Sequence, residues 1–501
     1  MAAATLLVVA TVAPLDPLGH PPGAFRRLVG RYERGPKPRR RAELGMLVLV
    51  DAILLGLYTL LQMGSTNALP KSYVGPAVVI GSQSLLLHLA NRWLAPRANA
   101  ALVPLAVFLN GLGLIFILRW HPMKTFSMSN LAVEQATWSF IGVLLYIGVL
   151  AVVRHSRDLD RYRFILLVLA LVLMLSPLLP VIGYSHGGAR LWVHVPGLTF
   201  QPIEFAKLLL CVFFASYFAE NRELLSIPSA RLGNRLVLDP RPLLPILAVW
   251  ALAMVVIAGE NDIGFALLVF VVFISLLWIT TGRWAYLLFG LGLFAAGAWV
   301  ASQLFTQFSG RVAVWLNPWT PQLITNQGAQ LVQGWFSLAA GGVVGTGLGV
   351  SNVSGRIFGI TSDMIFASIG EELGLLGAAC VVMAFVLFVG AGLRTAQRAR
   401  SSFSRLVATA LTLMLGFQAF FIMAGVIRLL PLTGITLPFV AYGGTSLVAD
   451  YLLLAMLMRI SDEEPGVLPY RPGDAPVEEA LSRRARRRRA AAPDPAGATP
   501  G

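Results

Sequence analysis

Apolar residues run along this chain in blocks long enough to cross a membrane, and polar residues collect between the blocks. A bilayer core takes about 20 apolar residues in a helix that rises ~1.5 Å per residue. On that measure the pattern predicts about twelve spans, near 45–63, 73–91, 101–118, 136–153, 164–183, 203–219, 242–259, 262–280, 284–304, 366–390, 406–427 and 438–458. One long hydrophilic insert, 305–363, separates the ninth and tenth spans and is rich in Gly, Gln, Asn and Ser. A connection of that length is either functional or disordered. The fold class expected is therefore all-α, a polytopic membrane protein of about 12 transmembrane helices.

Composition narrows the class: 56% hydrophobic and 13% charged residues exclude an ordinary soluble fold. Net charge is +15, but six arginines lie in the single run Arg483 to Arg489 near the end of the chain. A solvated basic tail after Asp462, disordered by composition and able to lie on anionic lipid, accounts for the charge without nucleic acid. Lys and Arg counted on alternate sides of the spans divide 31 against 7, and 15 against 7 without the two termini. The positive-inside rule then puts both termini in the cytoplasm and the long insert on the opposite, extracytoplasmic face. Cys211 and Cys380 each sit in an apolar run, so they read as packing residues and not as a disulfide or metal site. The stretch Leu6 to Val12 is too short to span and lacks the basic residue a signal peptide carries ahead of it. No internal repeat stands out, which disfavours an inverted-repeat transporter.

Charge inside a span is costly, roughly 2.5 to 3.5 kcal/mol on insertion scales, so the exceptions are informative. Span six opens with Pro202 and places Glu204 and Lys207 three residues apart on one helical face. Two readings stand: a self-neutralising pair that lets the helix enter the membrane, or a lysine facing an anionic substrate. Span eight opens Glu260-Asn-Asp262-Ile-Gly264, also at the outward mouth. Asp262 can be the N-cap of its helix. It can also be a desolvated carboxylate whose pKa is raised toward that of a general base. If the second reading holds, Lys207 and Asp262 line one cavity. Outward loops add Arg190, and Gln333 opens a run to Gly349 whose close-set glycines could present backbone N–H groups to phosphate oxygens. His121, His186 and His194 match no metal spacing and read as surface or packing residues.

In order along the chain, Gly188-Ala-Arg-Leu-Trp192, Phe200-Gln-Pro-Ile-Glu-Phe-Ala-Lys207, Asp262-Ile-Gly264, Gln330 to Gly349, Ser362 to Gly377 and Leu430 to Leu447 resemble the SEDS family (shape, elongation, division and sporulation), whose members include RodA, FtsW and SpoVE. The resemblance covers roughly residues 101–460, and six motifs in order are far more specific than any one. It departs from the family pattern at Leu191, Ile203, Phe265, Ala441 and Thr445, none of which removes a group the chemistry plainly needs. Members typically have ten spans, which makes 45–100 an additional two-helix hairpin between a basic segment, 1–44, and the core, with 461–501 as the tail. That extension and Arg428-Leu-Leu-Pro431 are most similar to RodA-type members of high-GC Gram-positive bacteria.

The resemblance implies a peptidoglycan glycosyltransferase that joins lipid II units outside the cytoplasmic membrane and releases undecaprenyl diphosphate, for cell elongation and shape or for division. It places the essential carboxylate at Asp262, polar cavity positions at Glu204 and Lys207, and a loop motif at Arg190. Asp262 would take the proton of the attacking sugar hydroxyl while Arg190 and Lys207 offset charge on the diphosphate, with a divalent cation such as magnesium as a further candidate. Arg311, Arg356 and Arg428 are the other outward cations. The implied partner is a single-span transpeptidase, a class B penicillin-binding protein. A lipid II flippase and a non-catalytic scaffold are the rival classes.

Overall fold

The computed structural model describes residues 38–463 apart from 71, 123–129, 181, 187–188, 196–197, 227–229, 233–234, 238–240, 261, 305, 325, 327 and 352. Expectations for the far N-terminal stretch and for the arginine-rich tail fall outside these residues. Helices occupy every predicted span: α1 (Pro38–Thr66), α2 (Val74–Leu94), α3 (Leu102–Trp120), α4 (Leu131–Val152), α5 (Arg163–Leu175), α6 (Ile203–Glu220), α7 (Leu244–Glu260), α8 (Ile263–Thr281) and α9 (Trp284–Leu304). After the insert come α12 (Ile365–Glu372), α13 (Gly374–Arg398), α14 (Ser402–Val426) and α15 (Gly444–Asp462), with α10 (Thr306–Leu316) and α11 (Ala329–Gly341) inside the insert. Nine described helices are long and apolar enough to cross a membrane. The other three predicted spans, in α5, α6 and α7, are also helical, but α5 and α7 are short and α6 carries charge. The chain is a multi-pass membrane protein.

Several boundaries differ from the sequence reading. Helix α1 begins at Pro38, seven residues ahead of the predicted start of the first span at 45. The insert carries helices α10, of 11 residues, and α11, of 13, whose amides are satisfied internally instead of being left to a loop. The tenth span breaks into α12 and α13 because Gly374 takes φ +68°, where a Cβ would lie 2.3 Å from the Gly345 nitrogen. The last span starts at Gly444, since residues 427–443 turn repeatedly through Pro431, Gly434 and Pro438. Short antiparallel strands interrupt the all-α picture: β1 (Gly183–His186), β2 (Ala189–Val195) and β3 (Leu198–Phe200) form a sheet before α6, and β4 (Ala230–Leu232) pairs with β5 (Arg235–Val237) before α7. Cys211 is buried as expected, whereas Cys380 is exposed on α13.

Helix α6 is the axis of the bundle and contacts α5, α8, α14 and α15. Small residues permit close approach where lipid supplies no hydrophobic drive: a Cβ on Gly113 would fall 2.1 Å from the Val440 carbonyl oxygen, and one on Gly142 would meet the Tyr451 ring at 2.5 Å. The α1–α2 hairpin is welded to this core. Its Glu43 is wholly buried, ion-paired to Arg40 and within 3.1 Å of His88 Nδ1 and 3.2 Å of Asn91 Nδ2. Deeper in, Asn110 Nδ2 donates to Tyr451 OH (3.0 Å), joining α3 to α15. Strands β1–β3, helices α10 and α11, and residues 427–443 gather at one end, called here the loop end.

Candidate active site

At the loop end α7 reverses into α8 within two residues, and the Asp262 amide donates back to Ile257 O (3.2 Å). Asp262 caps α8: its Oδ1 accepts the Phe265 amide at 3.0 Å. Capping does not exhaust the carboxylate, because Oδ2 has no described partner. The side chain is 9% exposed, and burial pushes it up to about 6, against the pull of the Phe265 amide and the Arg311 guanidinium and with a smaller push from Glu204. The two sequence readings of Asp262, cap and tuned carboxylate, are both properties of the same side chain.

One turn into α6, Lys207 is 1% exposed. Its Nζ donates to Glu204 Oε2 and to Gln418 Oε1 (2.9 Å), and it lies over the Phe265 ring, 5.7 Å from the centroid. Phe265, a departure from the family pattern, therefore meets both groups, its ring beside the ammonium and its amide at the capped carboxylate. Gln418 passes the network on, donating to Thr436 O (3.0 Å), and Thr436 Oγ1 shares a hydrogen bond with Ser446 (2.7 Å). Asp450 of α15, buried with its Oδ2 accepting the Phe439 amide (2.9 Å), stands within electrostatic reach of Lys207 and Glu204.

Residues 427–443 lie across the mouth of α8. Gly264 is required there, since a Cβ would sit 2.5 Å from Thr433 O and 3.0 Å from Ile435 Cγ2. Arg311, half-buried on α10, donates from Nη1 to that same Thr433 O (2.7 Å). Asp363, half-buried ahead of α12, is also pushed up to about 6 by burial and pulled down by Arg311. Thus one guanidinium lies within reach of two carboxylates from distant parts of the chain.

The structure joins Glu204, Lys207 and Asp262, and keeps Arg190 and Gln333 apart from them. Arg190 is exposed on β2, and Gln333 is half-buried on α11; no described hydrogen bond or ion pair links either to the three. Much of the glycine run's end is already bonded. Thr346 N donates to Glu371 O (2.9 Å), Gly347 N to Glu372 O (3.1 Å) and Gly349 N to the Glu372 carboxylate (3.1 Å), so those amides are spent within the fold. Arg428 is likewise occupied, donating to Trp315 O (2.9 Å) and Leu316 O (2.8 Å). Sequence reasoning did not single out Asp363, Gln418 or Asp450. Asp450 had a readable signal, a lone acid within an apolar span, and Asp363 lay in the Ser362 to Gly377 motif without being singled out; Gln418 had none short of the folded contacts.

A family model described as a cell cycle protein, FtsW/RodA/SpoVE, matches residues 100–465. Among curated proteins the chain is similar to peptidoglycan glycosyltransferase RodA of Mycobacterium bovis, 35% identical over 446 residues, covering 87% of this chain and 93% of that one. It is 36% identical over 438 residues to the RodA of Mycobacterium leprae, with the same coverage, 87% and 93%. To the probable peptidoglycan glycosyltransferase FtsW of a Geobacter species it is 32% identical over 299 residues, 59% of this chain and 77% of that one. Among solved structures, a chain from a peptidoglycan synthase complex aligns with TM-score 0.59 at 24% identity, covering 73% of this chain and 97% of its own length. The rod shape determining protein RodA of Thermus thermophilus aligns with TM-score 0.52 at 24% identity, covering 74% and 98%. At those identities the two structures show the shared fold alone.

Proposed function

This chain belongs to the FtsW, RodA and SpoVE family of membrane proteins, and from that premise we propose that it is a RodA-type peptidoglycan glycosyltransferase that polymerises lipid II for cell elongation and shape. One observation carries the assignment to this site: Asp262 is buried, oriented by the helix it caps through Oδ1, and left with Oδ2 unspent. Such a group can accept a proton from a hydroxyl placed against it. The acceptor oxygen then forms the new glycosidic bond at the donor's anomeric carbon, the bond from that carbon to phosphate breaks, and the electron pair leaves with undecaprenyl diphosphate. A single general base contributes about 10² to 10⁴-fold, so positioning of the two lipid substrates must supply much of the rest.

Lys207, with two of its three N–H donors given to Glu204 and Gln418, contributes by offsetting the charge of Glu204, which acts on Asp262. Arg190, exposed on β2, and Gln333, half-buried on α11, are the further substrate-binding candidates. For the departing diphosphate Arg311 is the better-placed cation, since it faces Asp262. Among the described residues no group of three or more His, Cys, Asp or Glu could hold a metal ion, and a magnesium ion held by substrate phosphates needs only one or two carboxylates from the protein. A cation arriving with the diphosphate would complete its shell from substrate oxygens and water.

The excess of Lys and Arg on alternate sides supports an orientation with both termini cytoplasmic and the loop end outside, in the bacterial plasma membrane. A class B penicillin-binding protein is the proposed partner, a reading supported by the likeness to a chain of a peptidoglycan synthase complex. The test is polymerisation of lipid II by the purified full chain in detergent, wild type against Asp262→Ala. Glycan strands from wild type alone are expected. No strands from either protein, together with lipid II translocation in liposomes, would replace the polymerase with a flippase.

A further inference from the structure

Two arginines at the loop end are committed to holding the chain together. Arg428 donates to two carbonyls and stacks on Trp335, and Arg119 donates to Glu372 and to Ser351 O. Arg311 differs. Of its five N–H donors, one is spent on Thr433 O, and it forms no ion pair within 4.0 Å with a described carboxylate. Yet it is close enough to act on both Asp262 and Asp363.

Unspent capacity accumulates around it. Thr433 is 8% exposed, and its Oγ1 is buried with no hydrogen-bond partner, although its backbone is gripped by Arg311 and lies against Gly264. Glu260, immediately before the α8 mouth, is wholly buried and neither of its oxygens has a partner. Buried polar groups are ordinarily paired. Here α8, α10, the turn before α12 and residues 427–443 meet: Arg311 bonds Thr433 O, Gly264 abuts the same oxygen, and the Tyr442 amide donates to Thr361 O (2.7 Å), two residues before Asp363.

We propose that Asp363 is a second substrate-binding carboxylate of this site, accepting a hydrogen bond from the acceptor sugar while Asp262 accepts the proton of the attacking hydroxyl and Arg311, between them, takes the diphosphate. This rests on the glycosyltransferase reading above. Asp363 transfers no proton; it fixes the acceptor so that the attacking hydroxyl meets Asp262. Both carboxylates must be ionised for this. The charged groups that face them are Arg311 for Asp363, and Arg311, Glu204 and Glu260 for Asp262.

The experiment uses the full chain in detergent with lipid II, comparing wild type, Asp363→Asn, Arg311→Lys and Asp262→Asn. Asp363→Asn should fold normally and lose about tenfold or more in kcat/KM, chiefly through KM, as expected for a lost hydrogen bond to a charged group. On the acid side of the profile, wild-type rate should fall with a limiting slope of two in log rate against pH, and Asp363→Asn with a slope of one. Arg311→Lys, which keeps charge but not the fork of donors, should lower kcat and leave both ionisations in place. Wild-type KM with an unchanged slope in a folded Asp363→Asn protein overturns the proposal; if Asp363→Asn does not fold, an acid limb of slope one in wild type overturns it equally. If wild type itself makes no glycan, the polymerase reading falls as well. If wild type is active, Asp262→Asn is dead and Asp363→Asn is normal, only the second carboxylate is lost.

Discussion

Glu371 and Glu372 at the end of α12 are at least as buried as Asp262, at 0% and 1% exposed against 9%, and they lie at the same end of the molecule. Glu371 accepts hydrogen bonds from Ser337 Oγ, Ser354 N (2.8 Å), Ser354 Oγ and Val353 N (3.2 Å). Glu372 accepts from Arg119 Nε (2.9 Å) and Gly349 N (3.1 Å). Both oxygens of each carboxylate are engaged, and what they hold is the glycine-rich turn that packs against α1. Asp262 has one acceptor engaged, and the nearby Asp363 has no described hydrogen bond from its side chain. Burial alone therefore does not separate these acids; Asp262 keeps an oxygen with no described partner, whereas Glu371 and Glu372 have both oxygens engaged. A carboxylate oxygen already engaged by the protein has less left for a substrate.

That contrast can be broken by exchanging the outcomes of mutation. The largest effect should come from Asp262→Asn, which keeps an acceptor for the cap and removes the basic charge. Polymerisation should drop by about 10² to 10⁴-fold while thermal unfolding in detergent stays within a few degrees of wild type. A collapse of the fold here would mean that the cap, not the chemistry, is what Asp262 supplies. Glu371→Ala should do the opposite. It strands several buried donors, each costing about 1 to 3 kcal/mol, so a loss on the order of 3 kcal/mol in unfolding free energy is expected. An unaltered melting curve would show that the engaged acids are dispensable.

A smaller effect tests whether the glycine turn is held as tightly as its hydrogen bonds indicate. Gly349 has φ +82°, and a Cβ there would lie 2.5 Å from Leu61 O of α1. Gly349→Ala should cost about 1 to 3 kcal/mol through strain and should raise protease sensitivity between α1 and the core; equal cleavage of both proteins would argue against the contact. The mildest perturbation is pH. With Asp262 held near 6 by burial, the carboxylate form needed to accept a proton is lost as pH falls through that value. Lowering pH from 7.5 to 6 should therefore reduce turnover reversibly by about two- to fourfold. A rate flat down to pH 5 would place the working base in an unperturbed environment.

Much of the scaffold was legible in advance because helix formation in a membrane is dictated locally. A backbone without water must satisfy its own hydrogen bonds, so an apolar block of sufficient length becomes a helix whatever surrounds it. The blocks holding α1, α3, α8 and α14 illustrate this, as do the charges of Glu204 and Lys207, conspicuous because so little around them is polar. The insert misled for the complementary reason. Its Gln and Gly content reads as loop, but α11 is buried along Leu331, Val332 and Ser337 against α12, and that packing overrides composition.

The same division runs through the site. The chain alone placed a carboxylate at the mouth of one helix and a lysine one turn inside another, and hydropathy together with positive-residue asymmetry put both mouths on one side. Folding decided which groups were left free. The glycine-run amides were claimed by Glu371 and Glu372, Lys207 was claimed by Glu204 and Gln418, and Arg311 came to rest between Asp262 and Asp363 with most of its donors unclaimed. Hydropathy is a property of neighbours in sequence, whereas hydrogen-bond satisfaction depends on neighbours in space, and only the packed bundle brings residues 262, 311, 363 and 433 within reach of one another.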